Sequence, residues 1–160
     1  KIINRAHDTA CFIDAVERLR KHGIRTCAHI IYGLPGEDRD MMLETGRTVA
    51  ELEVEGIKIH LLHVMKKTPM AHQWKQGLVR FLEQDEYIYL VVYTLEMLPP
   101  EMVVHRVTGD APRDLLIGPM WSANKWEVLN GIDRRLEQRN TWQGKKWTGQ
   151  SKRRNMAHQN

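Results

Sequence analysis

Histidine recurs on three apolar stretches of this chain. His29 lies in CAHIIY, His60 and His63 in IKIHLLHV, and His105 stands beside Arg106 in MVVHRV. An imidazole in an apolar strand is costly unless it finds a partner. Taken singly, each is satisfied by one hydrogen bond to a neighbouring carbonyl. Taken as a set, they point to a common site. Imidazole is the commonest metal ligand, but no close-spaced pair such as HExxH lies on a helix face here, so a metal site is not the expected use. The second candidate is the turn Gly33, Leu34, Pro35, Gly36, Glu37, which directly follows the first of these stretches. Two glycines permit backbone angles a Cβ forbids, and Pro35 fixes its own φ. In α/β folds, ligands bind where a parallel strand ends and the next helix begins. A plain strand-to-helix connection also needs glycine, so the turn alone is a weak motif. No Ser-His-Asp or Cys-His arrangement can be read, and G-L-P-G is not the dinucleotide pattern.

These groups need elements to position them. Apolar residues at Phe12, Ile13, Val16 and Leu19 predict a helix over 9–22, with Asp8 or Thr9 as N-cap and Gly23 near the C-cap. A buried strand follows over about 25–32. A second helix is expected over 38–54, with Met42, Val49 and Leu52 on one face. A second strand runs 57–64. Strand, helix, strand at this spacing is a βαβ unit, which implies a parallel sheet or barrel. Residues 66–81 are interrupted by Thr68, Pro69 and Gly77 and read as a loop or a broken helix. A helix over 84–98 ends at Pro99 and Pro100, a third strand covers 102–107, and Ser122 or Asn124 caps a last helix to about Arg139. Trp126, Leu129, Ile132 and Leu136 are its expected buried stripe.

The 160 residues are one domain's worth of sequence, and 42% hydrophobic content is enough for a core. No apolar run approaches the ~20 residues of a membrane-spanning helix. Cys11 and Cys27 match no zinc or cluster spacing and read as thiols of a reducing, cytoplasmic compartment. Net charge is +4, with Lys145, Lys146, Lys152, Arg153 and Arg154 gathered near the C-terminus without an acid among them. Residues 140–160 are therefore expected to be a basic, flexible tail, able to hold phosphates but more simply a solvated end. The tryptophans Trp121, Trp126 and Trp142 fit core or rim packing before base stacking. The chain opens at Lys1 without an initiator methionine, which suggests part of a longer protein.

In order, INRAHD, a helix, a strand ending YGLPGE, and GIKIHLLHV resemble the C-terminal half of a radical S-adenosylmethionine (SAM) enzyme. HRVTGDAPRDLL and NKWEVLNGIDRRLEQRNTWQGK extend the resemblance to the YtqA/YhcC-like subfamily. It covers nearly the whole chain to about Trp147. The resemblance implies an α/β fold, a parallel-stranded partial (β/α) barrel represented by its C-terminal half over 1–139, with a helical C-terminal segment. It implies S-adenosylmethionine lying across the strand ends. Arg5 would contact its ribose or carboxylate, His29 the ribose, Ile31 the adenine face and His63 the adenine edge. Gly33, Leu34, Pro35, Gly36 and Glu37 would form the turn beside it. His60, His105 and Arg106 would face the substrate.

The family's CxxxCxxC motif, which holds a 4Fe-4S cluster, is absent from this chain, and Cys11 and Cys27 cannot replace three close-set thiolates. The segment alone is thus expected to be inactive, with the cluster ligands outside it. The parent would cleave S-adenosylmethionine to a 5′-deoxyadenosyl radical, drawing its electron from a donor such as flavodoxin or ferredoxin. Analogy with relatives that work on wobble uridines suggests tRNA as partner. The competing reading is a non-catalytic nucleic-acid-binding module with a basic tail, whose affinity would fall steeply with salt. A hydrolase or dehydrogenase half-barrel needs an acid–base pair that cannot be located. A half-barrel leaves an open strand edge, so self-association is expected.

Overall fold

Three short parallel strands, two of them with alternating burial, set the frame of the molecule. The structure, a computed structural model, describes residues 5–149. Helix α1 (Thr9–Lys21) starts where the Asp8 carboxylate accepts from the Cys11 amide at 2.8 Å, the N-cap arrangement. Strand β1 (Cys27–Tyr32) leads into α2 (Arg39–Leu52), capped in the same way by Asp38 on the Met41 amide. Strand β2 (Gly56–Leu61) pairs in parallel with β1 along its whole length, with Ile30 opposite Ile59 and Ile31 opposite His60. Strand β4 (Val103–Arg106) pairs in parallel with the other side of β2, so the order is β1-β2-β4.

The strand expected over 57–64 is shorter than its apolar run. It stops at Leu61, and Val64–Met65 forms a separate strand β3, antiparallel to β5 (Leu116–Gly118). Val64 is fully buried in this second, smaller sheet, which accounts for the unbroken hydrophobicity. Residues 66–81 contain one short helix, α3 (Pro69–Lys75), started by Thr68 on the Ala71 amide.

Helix α4 (Gln84–Met97) is the centre of the core. Tyr87, Leu90, Val91, Val92 and Thr94 are completely buried between the sheet, α2 and α5. That extensive burial explains why YIYLVVY looks like a strand in isolation: of its seven residues Tyr89 and Tyr93 are partly exposed and the rest are buried, so the helix has little polar face. Thr94 donates to the Leu90 carbonyl, leaving its oxygen to accept from the buried Tyr32 hydroxyl at 2.6 Å. This ties β1 to α4.

Helix α5 (Lys125–Gln138) starts after Asn124, one of the two expected cap residues, whose side-chain amide donates to the Glu127 carboxylate in place of a capping bond to the backbone, and its buried stripe differs from the one expected. Val128, Gly131 and Ile132 face α4, while Trp126 is 74% exposed. Ile88 lies where a side chain on Gly131 would go, so the glycine sets the contact line and turns Trp126 outward. Residues 140–149 pack back on the core: Gly144 donates to Leu95, Lys146 to Glu96, and the Gln143 amide to the carbonyls of Pro99 and Met102. The remainder of the basic segment, 150–160, lies outside the described residues.

Candidate functional site

The sheet has two unlike faces. Along β1, Ala28, Ile30 and Tyr32 are buried under the helices, while Cys27, His29 and Ile31 point to the other side and are exposed. The strand expected to be buried is therefore buried on one face, and Ile31, 43% exposed, belongs to the open one. On β2, Ile57, Ile59 and Leu61 go inward, and Lys58 and His60 share the open face with His29 and Ile31. The His29 and His60 rings stack with centroids 5.7 Å apart.

The turn after β1 has the geometry its residues dictate. The Glu37 amide donates to the Leu34 carbonyl at 3.1 Å, with Pro35 second and Gly36 third at φ 84°, which is a type II turn. Gly33 has φ 87° and lies against the Leu82 side chain, and its amide points at the Met42 sulfur. Glu37 is half-buried, and one of its carboxylate oxygens is buried without a hydrogen-bond partner. Burial pushes its pKa up, opposed by the Leu34 backbone amide.

His63 lies just past the end of β2. Ser122 donates its hydroxyl proton to the Pro119 carbonyl at 2.7 Å, so its oxygen accepts from His63 Nε2 at 3.0 Å. A neutral His63 consequently presents Nδ1 as an acceptor. A Cβ on Gly109 would lie 2.8 Å from the His63 ring and 3.6 Å from His60 Nδ1, so both imidazoles converge over this glycine. Desolvation lowers the pKa of both, helped by the His29, Arg106 and Lys58 charges for His60 and by His60 for His63. Asp110, which pairs with Arg106 at 3.2 Å and Lys125 at 3.7 Å, acts in the opposite sense on both rings.

The sequence-predicted residues do not all meet. His29, His60, His63 and Arg106 form one group. His105 turns toward the start of β2, where a Cβ on Gly56 would lie 2.7 Å from its Nε2. Arg5 is exposed, and its contact is with His7 Nε2 at 3.0 Å. A wide surface hollow lies elsewhere, between α4 and α5, lined by Asp85, Glu127, Arg134 and Arg135 among others and by none of the histidines.

Comparison with known proteins bears on this open parallel sheet. The family model described as the Radical_SAM C-terminal domain matches residues 54–138, and that of the Radical SAM superfamily matches 1–49. The chain belongs to the radical SAM superfamily. It is 61% identical over 144 residues to the uncharacterized protein YtqA of Bacillus subtilis, covering 90% of this chain and 45% of that protein. It is 37% identical over 136 residues to protein YhcC of Escherichia coli K12, covering 85% and 44% respectively. A tRNA uridine(34) acetyltransferase of Methanocaldococcus jannaschii is 23% identical over 128 residues, covering 78% of this chain and 24% of the enzyme. Among solved structures, Elp3 of Methanocaldococcus infernus with an N-terminal deletion superposes with a TM-score of 0.75 at 18% identity. That match covers 88% of this chain and 33% of that one, and shows a shared fold. The radical SAM chain thus spans less than half the length of YtqA and YhcC.

Within this radical SAM chain, no group of three His, Cys, Asp or Glu side chains able to hold a metal exists among the described residues. Cys11 and Cys27 are both free and exposed. The thiolates present do not fit a 4Fe-4S cluster. The adenosine side fits better: an exposed apolar Ile31, a glycine-built turn and an unpaired carboxylate oxygen on Glu37 lie together at one strand end. Sequence reasoning missed Asp110, Gly109 and Ser122. An aspartate and a glycine in TGDAP look like turn residues, and the Ser122 contact with His63 spans 59 positions, which no local signal reveals.

Among the described residues, no helix is long and apolar enough to cross a membrane.

Proposed function

We propose that this chain is the C-terminal, adenosine- and substrate-facing part of a radical SAM enzyme that modifies tRNA. The observation that carries the reading is the open face of the parallel sheet. It ends in the Gly33–Glu37 turn on β1 and in His63 after β2, two neighbouring strand ends of the kind that seat ligands in α/β folds. Ile31 packs on the adenine, and His29 and Arg5 take the ribose and carboxylate side. Gly33, Leu34, Pro35, Gly36 and Glu37 wrap the nucleoside end, and His63 Nδ1 accepts a proton from the adenine edge. Glu37, half-buried and with one carboxylate oxygen lacking a hydrogen-bond partner, is placed to accept from a ligand hydroxyl or amine. His60 and Arg106 hold the substrate on the same face, with His105 farther down the sheet.

S-adenosylmethionine with a reduced 4Fe-4S cluster supplies radical hydrogen-atom chemistry when bound. The cluster's thiolates come from outside this segment, and flavodoxin or ferredoxin is the class of electron donor. The tRNA assignment draws on the uridine(34)-modifying relatives and on the chain's positive charge. Among the described residues strand β1 pairs with β2 alone, so its other side is an edge that takes a further strand, from the rest of the protein or from a second copy.

The test is anaerobic expression of the protein at the length of its relatives, reconstitution with iron and sulfide, reduction, and assay for 5′-deoxyadenosine. Release dependent on reductant is expected. A fully loaded cluster that yields none would overturn the reading.

A further inference from the structure

The open face holds more positive charge than its own residues balance. His60 is surrounded by His29 and Lys58 on its own and the adjoining strand, Arg106 on β4, and His63 beyond the strand end. Asp110 is the acid that acts on both imidazoles, and it is already shared between Arg106 and Lys125. Its pair with Arg106 is half-open to water, at 40% and 56% side-chain exposure, and pairs of that kind are weak and readily exchanged. His60 Nε2 is buried and has no hydrogen-bond partner. A buried polar nitrogen left unpaired calls for an explanation, and an absent ligand is one. The chain also gives up side-chain volume here: Gly109 leaves the room that His63 and His60 occupy.

We propose that His60 and Arg106 form an oxyanion subsite on the open face of the sheet, where the substrate places a phosphate or carboxylate group. The ligand oxygen takes Arg106 from Asp110 and accepts the orphaned Nε2–H of His60. Calling that ligand the substrate rests on the radical SAM reading; the anion binding itself does not. The depressed proton affinity of His60 supports the assignment, because a bound anion reverses the repulsion from His29, Arg106 and Lys58. Binding therefore takes up a proton, against the partial compensation that Asp110 already provides.

The experiment is calorimetric titration of the full chain with two probes. Sodium sulfate stays dianionic across the pH range and stands for a phosphate; sodium acetate stands for a carboxylate. Sulfate is expected to bind at least about tenfold more tightly at pH 5.5 than at pH 7.5, since one imidazole must be protonated. Buffers of different ionisation enthalpy should report uptake of about one proton in the unmodified chain. The tighter probe names the group that the substrate carries. His60→Gln and Arg106→Gln should each weaken binding by about tenfold, and His60→Gln should abolish proton uptake. His72→Gln, on α3 and bonded to Gln76, should change nothing. Binding of neither probe, absence of proton uptake, or equal loss from His72→Gln would overturn the proposal. So would competitive displacement of sulfate by S-adenosylmethionine, because the anion would then be the cofactor's own carboxylate. The 5′-deoxyadenosine assay is separate. A chain that binds no anion in a protein that releases 5′-deoxyadenosine sinks this proposal alone, and the reverse result sinks only the radical SAM reading.

Discussion

Removing Arg139 and Lys146 together should destabilise the protein far more than removing the carboxylate they serve. Glu96 is 1% exposed and lies between the two cations, which themselves keep 33% and 44% of their surface in water. Its pKa is lowered: burial works against that, and Lys146 and Arg139 overcome it. In Glu96→Gln the cations turn to solvent, and the loss is about 1 kcal/mol, that of ordinary hydrogen bonds. In Arg139→Met/Lys146→Met the buried carboxylate has no counterion and must take up a proton. At pH 7, neutralising a group whose ordinary value is near 4.5 costs about 3 kcal/mol, at about 1.4 kcal/mol per unit. At pH 5 the same neutralisation costs about 1 kcal/mol. The sign follows from linkage. With a lowered pKa, wild-type Glu96 contributes stability above about 4.5, lost as pH falls through its folded value. In the double variant its folded pKa is raised, so stability falls as pH rises. Both cations also lie over the Tyr93 ring, at 4.8 and 4.2 Å, and that loss is independent of pH. Urea unfolding at pH 5 and 7 measures both parts. A penalty that is the same at both pH values, or a Glu96→Gln variant as unstable as the double one at pH 7, would refute the reasoning.

Gly118→Ala should cost about 1–3 kcal/mol in the same unfolding assay, because its Cβ would lie 2.3 Å from the Phe81 ring; shortening that ring with Phe81→Leu should recover part of the loss. Stability should also fall as pH drops from about 6.5 through the lowered folded values of His60 and His63, since the unfolded chain then binds more protons; His60→Gln should flatten that slope, and an unchanged slope would contradict the burial seen for these rings.

The frame of the site could be read from residue order, and its closure could not. The alternation of CAHIIY and IKIHL, with a Pro-Gly turn after the first, carries the parallel pair and the strand end because period and turn chemistry are local. Which face of β1 stays open depends on the helices covering the other, so Ile31 looks as buried as Ile30 until they are in place. Likewise, VM of β3 continues the apolar run of β2, and only pairing with Leu116–Gly118 separates them. Trp126 was misplaced because a large aromatic outweighs a glycine in any hydrophobic pattern, whereas the helix contact is set by Gly131 on Ile88. Glu96 gave no sign at all: its partners come 43 and 50 residues later.

The return of residues 140–149 across Pro99, Pro100 and Met102 has a geographic result. These prolines precede β4, so this segment packs at the pole where the strands begin, whereas the Pro-Gly turn, His63 and Gly109 occupy the pole where they finish. A six-residue strand is about 20 Å long. The packed segment 140–149 and the imidazoles at the strand ends are thus held about one strand length apart, at opposite ends of the sheet.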